Sequence, residues 1–327
     1  MIGCGGFARL CHGPSQRRIA AANPGLQLAA CCDTHATRAK EYAEAFGFAR
    51  HYTDSFAMLS AEQPDAVVMA VPPAFTCRAA SAVLEPGFPL LLEKPPGISL
   101  AELEQLIAAA TAAAAPVQVA FNRRYMPVMK KAREILDAHF PPASVSRIDY
   151  AMIRFDRWDA DFSTTAVHAI DAAISLARSP FVAVDLRYQK QMQGDRESVN
   201  VVINAECASG CRVSIIIQPV AGRNAEWANV HAVGQSLMIN IPASPLSGDV
   251  ASLDHWRGNT VVASYADDAR DVGERFGILG ETEAFLEAVR ADAGVHPNLL
   301  ECRQQVALME AIRLRQPGPA HLAPTRP

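Results

Sequence analysis

The heptapeptide Leu90-Leu91-Leu92-Glu93-Lys94-Pro95-Pro96 sets an acid and a lysine directly after an apolar run. The run reads as a buried parallel strand. Proline donates nothing to a sheet ladder, so the strand must stop at Lys94 or just after it. Open α/β sheets take their ligands at the carboxyl ends of their strands, where a lysine can polarise an oxygen or hold an anion. Taken alone, a strand-end lysine that reaches solvent is the simpler explanation. The surrounding chain shifts that balance.

The chain opens Met1-Ile2-Gly3-Cys4-Gly5-Gly6-Phe7-Ala8, which fits G-x-G-x-x-A with Gly3, Gly5 and Ala8 at the three key positions. Glycines there allow a tight turn and close approach of a pyrophosphate, and a small third residue lets the helix pack on its strand. The amides of Gly6, Phe7 and Ala8 then open a helix whose positive end suits an anion. A second strand, Leu26 to Cys32, ends in Asp33, and Thr34 to Phe46 reads as the helix after it. An acid at that tip can take the adenosine ribose hydroxyls. Asp33 can equally cap the helix that follows, and the two roles are compatible. A carboxylate disfavours a 2′-phosphate, so NAD is expected over NADP. Arg38, one helix turn on, softens that preference and keeps NADP as the alternative.

Strand and helix then alternate. Ala66 to Val71 is a buried strand broken by Pro72-Pro73, a helix runs to Leu84, and Leu90 to Glu93 is the next strand. Ser99 and Glu102 fit a capping box at the start of a helix ending near Ala115, and Val117 to Phe121 is a further strand. This order predicts an α/β Rossmann domain over 1–121, a doubly wound parallel sheet. Glycine turn, Asp33, Pro72 and Glu93-Lys94 all fall at carboxyl ends of its strands. Only Met1 and Ile2 precede the glycines, so the first strand is almost missing. Its neighbours would be left partly unpaired, which predicts a native start several residues upstream.

The pattern changes after Tyr125, and 122–327 is expected to be an α+β domain with an open, largely antiparallel sheet. Val128 to Phe140 reads as an amphipathic helix and Arg147 to Phe155 as a strand. His168 and Asp171, three apart, share a face if their segment is helical. Ser198 to Cys207 and Cys211 to Gln218 form an expected hairpin, and Trp227 to Gly234 and Leu237 to Ile241 continue the sheet. Pro242 to Arg257 reads as a loop, 281–291 and 299–314 as closing helices, and the tail after Gln316 as frayed.

Composition narrows the class. The chain has 327 residues, 20% charged, with net charge −4 and a pI near 6.1, so two domains are expected and nothing points to nucleic acid or an anionic membrane. No signal peptide or bilayer-length apolar stretch is visible, so a cytoplasmic protein is expected. The eight cysteines form no paired C-x-x-C sets and read as buried reduced thiols, not as a zinc site.

Together, the glycine motif, Asp33, Glu93-Lys94-Pro95, Phe121-Asn122-Arg123-Arg124-Tyr125, His168-x-x-Asp171 and Gly280 to Phe285 resemble the Gfo/Idh/MocA oxidoreductases, over nearly the whole chain. The resemblance implies hydride transfer between a nicotinamide cofactor and an alcohol carbon of a sugar, cyclitol or related polyol. It implies catalytic roles for Lys94, beside the nicotinamide, and for His168, in proton transfer. The implied dinucleotide set is Gly3, Gly5, Gly6, Phe7, Ala8, Asp33, Thr34, Arg38, Pro72, Glu93 and Lys94. Arg123, Arg124, Tyr125, Thr164 and Asp171 are the expected substrate residues, with one of the two arginines a structural partner. The family also dimerises through the open face of its second sheet, implying a homo-oligomer, dimer or tetramer. Two departures stand out. Thr164 replaces an aspartate four residues before His168, and Ala74 and Cys77 replace the polar residues of a Pro-Asn-x-x-His loop. Thr164 can hydrogen-bond but cannot stabilise an imidazolium. Two other readings follow: a dinucleotide-binding regulator without turnover, or the same site used for glycoside cleavage or imine reduction.

Overall fold

A computed structural model describes residues 1–244, 250–267 and 271–321. It divides into two units: Met1–Tyr125 with Arg270–Val306, and Met126–Ala269 with Ala307–Pro327.

The first unit is the Rossmann domain. After a π-turn at Ala8–His12, its elements are α1 (Gly13–Ala22), β1 (Ala30–Cys32), α2 (Ala36–Phe46), β2 (Arg50–Tyr52), α3 (Ser55–Glu62), β3 (Val67–Met69), α4 (Pro73–Leu84), β4 (Leu90–Glu93), α5 (Leu100–Ala113) and β5 (Val117–Ala120). β1 pairs with β2, and β3, β4 and β5 pair in that order, all in parallel. Ile2 joins the two pieces by single bridges to Cys32 and Met69. The first strand is thus two residues long. Below it Met1, Leu26 to Ala30 and Pro64 to Val68 border an open groove of about 690 Å³. β4 is buried at every position, as a central parallel strand requires. Ser99 caps α5 through its hydroxyl, which accepts from the Glu102 amide at 3.2 Å; Glu102 in turn accepts from the Ile98 amide at 2.8 Å.

Later chain returns to this unit. α8 (Val272–Arg275) and α9 (Ile278–Arg290) lie here, whereas the sequence put the closing helices with the second domain. The apolar stripe of α9 decides the matter. Phe285 is fully buried in one core with Met1, Tyr42, Leu91 and Val295, worth about 1.5–3 kcal/mol for such a side chain. The Gln118 amide also donates to the Glu281 carbonyl at 3.3 Å. α10 (Arg303–Arg313) follows, and the Arg303 guanidinium pairs with Glu104 of α5 at 2.6 Å.

The second unit holds α6 (Pro127–His139), β6 (Val145–Phe155), α7 (Ser163–Ala177), β7 (Phe181–Gln193), β8 (Arg196–Cys207), β9 (Arg212–Ala221), β10 (Ala225–Ala232), β11 (Gln235–Ile241), β12 (Ser252–Arg257), β13 (Thr260–Ala266) and β14 (Gly318–His321). The strands form one sheet, ordered β13-β12-β11-β10-β6-β9-β8-β7-β14. Every pairing is antiparallel except β6 with β9. α7 packs on β6 and β9. A buried ion pair of Arg154 with Glu226, joined by the Tyr150 hydroxyl, ties β6 to β10.

Two expectations fail here. Within the expected loop Pro242 to Arg257, residues 245–249 lie outside the described residues, but Ser252–Arg257 is β12. Leu253 and His255 alternate inward against polar neighbours, a strand pattern masked by the turn formers before it. The tail is not all frayed: β14 pairs with β7, and Pro319 is tolerated because this is an edge strand. All eight cysteines are free and buried.

Candidate active site

Gly3 starts the site. It has φ +87°, and a Cβ there would lie 2.1 Å from the Ala70 carbonyl oxygen, so only glycine lets the turn pass the end of β3. Gly5 and Gly6 differ: a Cβ on either would meet nothing within 4 Å. Their bare backbone therefore faces open space, as a cradle for a pyrophosphate requires. Ala8 is buried under the helix. These residues fit a dinucleotide.

Asp33 sits at the tip of β1, almost wholly buried. Its Oδ2 accepts from the Cys4 amide at 3.0 Å and its Oδ1 from the His35 amide at 3.0 Å. The half-exposed Arg38 guanidinium reaches both oxygens at 3.3 and 3.4 Å. Burial pushes the carboxyl up, but the His35 and Cys4 amides and the Arg38 charge outweigh it and hold the group below the ordinary carboxylate value. Asp33 is not the side-chain cap of α2: His35 occupies that position. Thr34 is exposed beside it. Pro72 precedes α4, just beyond the end of β3, and is exposed. In the departing loop, Cys77 turns into the protein, its thiol donating to the Glu102 carbonyl at 3.7 Å, while Phe75 is exposed.

Glu93 and Lys94 close β4 at the same carboxyl edge. The Glu93 side chain is nearly buried. Its Oε2 accepts from the Lys94 amide at 3.2 Å and its Oε1 lies 2.8 Å from Nε2 of His12. His12 is a site residue that the sequence did not signal. It is fully buried at the end of the π-turn, beyond the glycine motif, and no alternation or spacing marks it. Arg123 is buried on a 3-10 turn, Arg124 is partly exposed, and the Tyr125 hydroxyl donates to the His296 carbonyl. Tyr125 thereby fastens the segment before Pro297 to this turn.

In the second unit, α7 carries Thr164, His168 and Asp171 on one face, as their spacing predicts. Asp161 Oδ1 accepts from the Ser163 amide at 2.9 Å and fixes the helix start. The Thr164 hydroxyl donates to the Asp161 carbonyl at 3.5 Å. His168 is nine-tenths buried and Asp171 wholly so. A small cavity of about 80 Å³ beside the helix start is bordered by Ser163 and Ala166, not by His168.

The family model described as "Oxidoreductase family, NAD-binding Rossmann fold" matches residues 1–121. D-apiose dehydrogenase of Paraburkholderia graminis is 33% identical over 40% of this chain and 33% of its own. Inositol 2-dehydrogenase of Corynebacterium glutamicum is 26% identical over 58% of this chain and 59% of its own. The matches thus span from a third to somewhat over half the length of these relatives. A Gfo/Idh/MocA family oxidoreductase from Vibrio cholerae shares the fold with a TM-score of 0.78 at 19% identity, over 96% of both chains. No helix among the described residues is long and apolar enough to cross a membrane. Residues 1–121 thus carry the NAD-binding Rossmann domain of this oxidoreductase family.

Proposed function

We propose that this protein is an NAD-dependent dehydrogenase acting on a CH–OH group of a sugar, cyclitol or related polyol. One observation carries the reading: the Gly3 turn, Asp33 and Glu93-Lys94 all meet at the carboxyl edge of one parallel sheet. The bound dinucleotide supplies the hydride acceptor. The glycine turn and the first helix amides take its phosphates, Asp33 its ribose hydroxyls, and Pro72 borders its path. Lys94 orients the substrate hydroxyl and lowers the cost of its deprotonation. His168 takes the proton, and Asp171 holds the ring or the substrate. Arg123, Arg124, Tyr125 and Thr164 belong to substrate recognition in this reading. The names of the relatives, apiose and inositol dehydrogenases, support the polyol class.

The protein is read as cytoplasmic and homo-oligomeric. The outer face of the second sheet supports self-association, since it offers Trp227, Met238 and Trp256 to solvent in part.

The test is a fluorescence titration with NADH and with NADPH, followed by a screen of sugars and cyclitols with NAD. Saturable NADH binding and turnover abolished by Lys94→Met and by His168→Ala are expected. Binding without turnover on any polyol, unchanged by Lys94→Met, overturns the enzymatic reading.

A further inference from the structure

The His12–Glu93 contact has a structural cause that reaches back to the glycine turn. Gly3 is pinned against the Ala70 carbonyl, and Gly13 against the ring of Phe46, where a Cβ would meet carbon at 2.5 Å. Both ends of the intervening segment are therefore fixed by close backbone approaches. The segment contains one residue more than an α-helix would hold, absorbed as the π-turn Ala8–His12, with the Gly13 amide bonded to the Ala8 carbonyl. One extra residue rotates the following side chains by about 100° relative to an uninterrupted helix. His12 closes this π-turn, and its ring there meets Glu93.

Among the described residues the ring has one polar partner: its Nε2 meets Glu93, while its Nδ1 is buried and finds no hydrogen-bond partner among them. Glu93 can only accept as a carboxylate, so the ring nitrogen facing it, Nε2, carries the hydrogen of this bond. The ring then has one polar task, which is to hold one oxygen of Glu93. The other oxygen holds the Lys94 amide. Phe7 of the glycine loop packs edge-on against the same ring at 5.6 Å.

We propose that His12 is a positioning residue. It locks the Glu93 carboxylate, and through the Lys94 amide it fixes the backbone from which the lysine side chain leaves the strand. The dinucleotide loop and the reacting lysine are thereby mechanically joined through one imidazole. This rests on the reading of Lys94 as the residue that meets the substrate and nicotinamide.

The test follows Lys94 directly. The five lysines of the chain are labelled by reductive ¹³C-methylation, and the Lys94 dimethylamine signal is identified by its loss in Lys94→Arg. In the native protein, saturating NADH shifts that signal. In His12→Leu the NADH-induced shift is lost, while NADH still binds by fluorescence. His12→Gln, whose amide can donate to Glu93, restores the shift. His12→Asn, whose shorter amide stops short of Glu93, does not, and it serves if the leucine variant fails to fold. A Lys94 signal that responds to NADH equally in native, leucine and asparagine proteins overturns the role of His12 and leaves the reading of Lys94 intact. A Lys94 signal unmoved by NADH in the native protein overturns both.

Discussion

The Cys4 amide donates to Oδ2 of Asp33 at 3.0 Å, so the glycine turn and the tip of β1 are one rigid piece. A carboxylate offers about four lone-pair positions. In Asp33 the Cys4 and His35 amides and the Arg38 guanidinium already engage both oxygens. A ribose diol must therefore compete with Arg38, the longest of these contacts and the one most open to solvent.

Asp33→Ala is expected to weaken NADH by about ten- to a hundredfold, since a hydrogen bond to a charged group is worth about 1.5–3 kcal/mol. Arg38→Ala should act in the opposite direction for NADH and weaken NADPH, because it removes the competitor for the carboxylate and the cation that would meet a 2′-phosphate. Parallel fluorescence titrations with both cofactors check this. An Arg38→Ala protein that binds NADPH better than the native chain contradicts it.

Two glycines of one motif should respond differently to alanine. Gly3→Ala puts a Cβ 2.1 Å from the Ala70 carbonyl at positive φ, costing at least about 1–3 kcal/mol of stability. Gly5→Ala meets nothing within 4 Å, so its cost to stability should stay within about 1 kcal/mol. Its methyl instead fills the cradle and weakens NADH. Denaturant midpoints and NADH titrations of the two variants separate these effects.

The parallel sheet, the glycine turn, Asp33 and the Lys94 strand end were legible because each is a local signal: a buried run, a proline stop or a fixed glycine spacing. The face shared by His168 and Asp171 was legible for the same reason. What escaped is non-local. α9 joins the first unit because Phe285 completes a core assembled from distant segments. His12, at the end of the π-turn, meets Glu93 across 81 residues of sequence, a pairing that no local pattern marks. β12 lay hidden behind turn-forming residues, and β14 reads as a tail until β7 pairs with it.

Thr164 stands one turn before His168 on the same helix face, where a carboxylate would favour the charged imidazole. Thr164→Asp should raise the pKa of His168. In the alcohol-oxidising direction the neutral ring is the active form, so the acid limb of the rate profile should move to higher pH, by about one unit. Rate against pH for the native and variant enzymes measures this. A limb that stays in place, while His168→Ala abolishes turnover, places the Thr164 side chain outside the reach of the ring.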